Sequence, residues 1–159
     1  MNMYFRIGLI VCVALVIMTE QALCDDKKKG VGLVSGEPTG ISGKMWVSDN
    51  TAVDGAVAWS LVKDRRMHIH ADWLVHNWTY LKDKYDVETG EIPLYYGIGG
   101  RIRFDDDVRI GARFVLGISY IFADAPFDIF LEIAPILDVA PETAVNINSA
   151  IGVRYWFKK

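Results

Sequence analysis

The chain has 159 residues, 52% hydrophobic and 23% charged, with a formal net charge of -3 and a mean hydropathy of +0.19. That length suits one domain, and so even a charge balance excludes a basic nucleic-acid binder and an acidic disordered tail. The one long apolar run, residues 7–18, falls short of the ~20 residues a membrane-crossing helix needs, so the remaining apolar residues must be segregated in another regular way.

Arg6 precedes that run, and the small residues Ala22 and Cys24 stand just before a charged stretch, Asp25 to Lys29. This order predicts a secretory signal peptide over residues 1–24 and a single domain over 25–159. Lipidation of Cys24 is the competing reading, and the bulk of Leu23 opposes it. Cys12 and Cys24 would both leave with the signal, so the exported domain would have no disulfide, cysteine nucleophile or cysteine-ligated metal.

Two glycine-rich segments, Gly30 to Gly36 and Thr39 to Val47, read as the first strands. From Val53 onward each segment alternates with period two, broken by turn clusters such as Ser48-Asp49-Asn50, Lys63-Asp64-Arg65, Asp105-Asp106-Asp107 and Asp124-Ala125-Pro126. Successive strand residues face opposite sides. One face collects Val57, Trp59, Ile69, Trp73, Tyr96, Ile98, Phe104, Phe114, Leu116, Tyr120, Phe122, Phe127, Leu131, Ile151, Tyr155 and Phe157, with no charge among them. The other holds Asp54, Asp72, Arg101, Arg103, Arg109, Arg113, Asp128, Glu132 and Arg154. His68, His70, His76, Ser119, Asn146 and Asn148 share that face, padded by glycine and alanine. Pro135 removes a ladder hydrogen bond, so strand 7 is expected to end or bulge there. Helical spacing fits none of these segments comparably, and the chain reads as all-β, with eight strands.

Side-chain volume decides which face is outside. An eight-stranded barrel has an interior just wide enough for side chains to fill it, and the aromatic-rich set would overfill it. The charged set fits if the five arginines pair with Asp54, Asp72, Asp128 and Glu132, because buried charges need partners. An apolar outer band, closed strands of ~9–11 residues and aromatic residues near the strand ends are what a membrane barrel requires. The reverse arrangement, a soluble lipocalin-like barrel with a ligand cavity, is the alternative.

A leading apolar segment, a short glycine-rich first strand, eight alternating strands and a last strand ending Tyr155-Trp156-Phe157 resemble the small bacterial outer-membrane barrels. The architecture is similar to OmpX and the membrane domain of OmpA. The resemblance implies an eight-stranded antiparallel up-and-down transmembrane barrel, recognised at its terminal aromatic residue by the barrel-assembly machinery. Here Lys158 and Lys159 follow Phe157, which departs from that signal. The resemblance also implies long odd-numbered connections facing the cell exterior. The longest connection in this sequence is instead the fourth, Asn77 to Glu91, so either strands 4 and 5 project as a hairpin through Trp78 and Tyr80 or an early strand is miscounted.

Chemistry concentrates on one strand. His68, His70, Asp72 and His76 share a face, and neighbours two residues apart lie ~7 Å from each other, within reach of a shared transition metal. The preferred reading is a lumenal polar network in which the histidines bond Arg101, Arg103 or Glu132, with no metal and no cofactor assigned. A lipid A-modifying enzyme would need a serine, a histidine and an acid; Ser60, His68 and Asp54 or Asp72 supply the residue types, but no nucleophile motif accompanies them. The expected role is therefore structural or interactive, as a monomer with a plugged lumen in the outer membrane. Its partners would be membrane lipids and lipopolysaccharide, with no catalytic residue and no nucleic acid.

Overall fold

The computed structural model describes residues 29–36, 39–59, 67–82, 89–104 and 107–157. The signal-peptide reading over 1–24, with Cys12 and Cys24, falls outside the described residues, as do Ser60, Asp105 and the two final lysines. Eight antiparallel strands follow one another around a closed barrel: β1 (Lys29–Gly36), β2 (Gly40–Trp46), β3 (Thr51–Trp59), β4 (Met67–Asn77), β5 (Leu94–Phe104), β6 (Val108–Ile121), β7 (Phe127–Ala140) and β8 (Ala144–Phe157). Closure is the pairing of β8 back on β1, from Lys29↔Phe157 to Gly36↔Ala150. A barrel closed in this way has no free sheet edge.

Burial alternates residue by residue along the strands, most regularly on β4 and β7. Inward positions hold the charged and small residues, while Leu33 (70% exposed), Leu116 (60%) and Ile147 (68%) stand on the outer surface among many other large apolar side chains. The eight-strand radius explains this distribution, since the outer set is too bulky for the lumen. Two small apolar clusters do lie inside: Leu74, Tyr95, Val115 and Ala134, and Val34, Ala56 and Phe130. The inner aromatic rings are seated on glycine. A Cβ on Gly117 would strike the Tyr95 ring, and one on Gly152 the Phe130 ring.

Two expectations are corrected. Strand β7 does not end at Pro135, which pairs with Ile147 on β8 within an unbroken ladder. On the β6 side the ladder skips from Arg113↔Ile136 to Leu116↔Ile133, the side on which the missing N–H is felt, and the register shift falls further on, between Ile110 and Gly111. Strand β7 therefore continues inward-facing as far as Asp138.

The second correction concerns the long connection. The count of eight strands holds, and the connection between β4 and β5 lies at the end where β1 starts and β8 finishes, here termed the basal end. It does not project as a hairpin through Trp78. A short helix, α1 (Thr79–Lys82), is capped by Asn77, whose Oδ1 accepts from the Thr79 and Tyr80 amides at 3.2 and 3.0 Å. Trp78 folds back, donating from Nε1 to Asp49 O at 3.1 Å. Glu91 bridges to Ile121, drawing the returning chain onto β6.

Candidate functional site

The lumen is a stack of ion pairs whose members come from different walls. Nearest the distal end, Arg101 of β5 donates from Nε and Nη2 to Asp138 of β7, with contacts of 2.6–3.1 Å. Asn146 of β8 adds a bond to the same carboxylate at 2.8 Å. Arg103 lies half-buried on the same strand and is in register with His68, while Arg109 on β6 is also half-buried.

At mid-height Arg113 Nε donates to both Asp72 oxygens at 3.1 Å, and its Nη2 donates to Glu132 at 2.8 Å. Tyr95 donates to the other Glu132 oxygen at 3.2 Å. Arg154 reaches across from β8: its Nη2 lies 2.6 Å from Asp54 Oδ2, its Nη1 3.8 Å from Asp128 Oδ2, and its Nε donates to Ser42 at 3.0 Å. Its guanidinium lies 3.7 Å over the Phe130 ring, within cation–π range.

A group of aromatic rings gathers toward the basal end. The Trp46 ring lies tilted 4.4 Å from His76 and 5.3 Å from Trp78, and stacks 6.2 Å from Trp156. Lys44 bonds His76 Nε2 through Nζ at 2.8 Å and lies 4.7 Å above the Tyr95 ring. Trp78 is contributed to this group by the long connection.

The eleven residues singled out from sequence are thus all placed on inward-facing strand positions: Asp54, His68, His70, Asp72, His76, Arg101, Arg103, Arg113, Asp128, Glu132 and Arg154. Their partners differ in part from expectation. Arg101 takes Asp138, a partner beyond the point at Pro135 where the sequence predicts that strand 7 ends or bulges. His68 and His70 stand across from Arg103 and Arg101 in register, yet their ring nitrogens meet each other, His70 Nδ1 to His68 Nε2 at 3.2 Å. Glu132 bonds Arg113 and Tyr95 rather than a histidine. Lys44 was missed because the glycine-rich second segment carries too few large residues to show its phase. Ser60 lies outside the described residues, so the serine of the hydrolase alternative has no described position.

Similarity to known proteins is confined to structure. No protein-family model matches the sequence, and no curated protein matches it. The N-terminal β-barrel domain of Pseudomonas aeruginosa OprF aligns with a TM-score of 0.52 at 9% identity, over 84% of this chain and 98% of that one. Neisserial surface protein A (NspA) aligns with a TM-score of 0.45 at 16% identity, over 82% of this chain and 95% of that one. The likeness to the OprF domain is one of fold, and it accords with the small outer-membrane barrel architecture expected from the sequence.

Proposed function

We propose that this protein is an outer-membrane β-barrel with a plugged lumen, serving a structural or interaction role in the bacterial envelope. One observation carries the reading: the barrel is inside-out relative to a soluble protein. Large apolar side chains from Val31 on β1 to Phe157 on β8 cover its outer wall, while its interior holds buried arginine–carboxylate pairs. Soluble monomers rarely expose contiguous apolar surface beyond a few hundred Å², and hydrocarbon is the medium that removes this wall from water. The soluble lipocalin-like alternative needs the apolar face inside, and that face is outside. Membrane lipids and lipopolysaccharide would contact the wall, and the assembly machinery would act during insertion.

The lumen is read as non-conducting to solutes, since Arg101, Arg113 and Arg154 span it and the aromatic group around Trp46 gathers toward its basal end. The test combines cell fractionation, gel mobility with and without boiling, and conductance in planar bilayers. Outer-membrane enrichment, a heat-dependent shift and conductance far below a porin's are expected. A detergent-free periplasmic protein would overturn the membrane reading, and porin-sized conductance would overturn the plug.

A further inference from the structure

Among the lumenal pairs, one cluster is built differently. Asp54 of β3 and His70 and Asp72 of β4 each offer a ligand atom, and these atoms lie within 4.8 Å of one another. His70 Nε2 is 3.7 Å from Asp72 Oδ2. That gap is too long for a hydrogen bond, but it is close to the edge of a tetrahedron of ligands about a zinc-class ion, roughly 3.4 Å for bonds of ~2.1 Å.

The surroundings of the three residues are those of metal ligands. Metal-bound histidines characteristically donate their second ring N–H to a fixed acceptor, and ligating carboxylates are themselves hydrogen-bonded. His70 Nδ1 lies 3.2 Å from His68 Nε2, with the two rings edge-on at 89°. When Nδ1 donates that bond, Nε2 is left as an acceptor 3.7 Å from Asp72 Oδ2, a pair of acceptors that a cation between them stabilises. Arg113 orients Asp72 and Arg154 orients Asp54, and each carboxylate oxygen keeps a second lone pair for another partner.

Two further features adjoin these residues. A small cavity opens beside Asp54 and His70, bounded also by Arg154 and by apolar Val34, Ala56 and Phe130. The local charge is also negative on balance: Asp54, Asp72, Asp128 and Glu132 face the guanidiniums of Arg113 and Arg154 and the ammonium of Lys44, which lies across from Asp54 in register. Buried carboxylates without matching cations are costly, and a bound cation offsets the excess negative charge of these seven groups.

We propose that the lumen binds one divalent transition-metal ion of the zinc class through Asp54, His70 and Asp72, with His68 as the residue that positions His70. One imidazole and two carboxylates suit zinc, nickel or copper rather than calcium. Because ion pairs and aromatic rings occupy the lumen on both sides, the ion is taken up as the barrel closes. The inference is independent of the membrane reading.

The test refolds the full barrel, without a histidine tag, from urea into detergent with ZnCl2, followed by gel filtration over chelator and metal analysis. Retention near one zinc per chain is expected. His70→Gln and Asp54→Asn should abolish it, and His68→Ala should weaken it by roughly 10–100-fold, the usual cost of losing an outer-shell partner. Folding of each variant is checked by the heat-dependent gel shift. Refolding with Co2+ supplies a readout that needs no variant: visible bands of a low-symmetry site are expected. Wild-type protein that retains no more zinc than His70→Gln, or a Co2+ spectrum identical to that of the aqueous ion, overturns the proposal.

Discussion

Removing the carboxylate of Asp138 is the sharpest probe of how the lumen is held. Both side chains of the Arg101–Asp138 pair are withdrawn from solvent, at 1% and 0% exposure, and Arg101 makes three contacts of 2.6–3.1 Å to that one carboxylate. Asp138→Ala leaves a guanidinium buried without its counter-charge, which costs about 3–5 kcal/mol. It also strips Asn146 of an acceptor, adding roughly 1 kcal/mol. Asp138→Asn keeps an acceptor but not the charge, and should cost about half as much. Replacing both partners, Arg101→Met with Asp138→Leu, removes the buried charges together and should fall within about 1 kcal/mol of wild type. Urea unfolding in lipid vesicles, followed through the tryptophan fluorescence and the gel shift, measures all four proteins. An Asp138→Ala barrel within about 1 kcal/mol of wild type would refute the reasoning, as would a double variant that costs as much as Asp138→Ala.

Two other predictions address the inner and outer walls. Gly152→Ala should destabilise the barrel by about 1–3 kcal/mol, since its Cβ meets the Phe130 ring. Gly43→Ala, on the outer surface with Gly30 O at 3.9 Å as the nearest atom, should be neutral or stabilising by up to about 1 kcal/mol, and equal costs in the same unfolding assay would show that the seat is not steric. Leu131→Arg, at an outer position of β7 that is 50% exposed, should cost about 2–4 kcal/mol if that position lies near the bilayer midplane. Its insertion into vesicles should drop accordingly, and undiminished insertion would count against a lipid-facing wall.

Much of this fold was legible because alternation is a local signal. His68, His70, Asp72 and His76 fix the phase of β4 by themselves, and a single phase error would have placed Trp73 inside. Pairing was less legible, because the partner of an inward arginine depends on where neighbouring strands stop. Asp138 was lost to a local rule about proline, although Pro135 keeps its β8 ladder and forfeits donation only toward β6. Lys44 was lost for a different reason: Gly40, Gly43 and the small residues around them carry little amphipathic contrast, so the inward phase of β2 emerges only from its pairing with Ala52, Asp54 and Ala56. The aromatic group of Trp46, Trp78 and Trp156 draws on three distant segments, and no spacing rule joins them.

The two walls of the lumen are complementary in volume, which accounts for the strand lengths as well as the charges. Strands β1 and β2 have 8 and 7 residues and place Gly30, Gly32, Gly36 and Gly40 on inward positions, while β6, β7 and β8 have 14 residues each and bear Arg113, Glu132 and Arg154. Gly32 lies beside Arg154 in register and leaves room for its long side chain, so Arg154 on β8 reaches past β1 to Ser42 on β2 and Asp54 on β3. At ~3.4 Å per residue and ~45° of tilt, 14 residues rise roughly 34 Å and 7 roughly 17 Å, against an apolar band of ~25 Å. The outer belt is therefore wedge-shaped, running from Val145 to Phe157 on β8 but only from Ile41 to Met45 on β2.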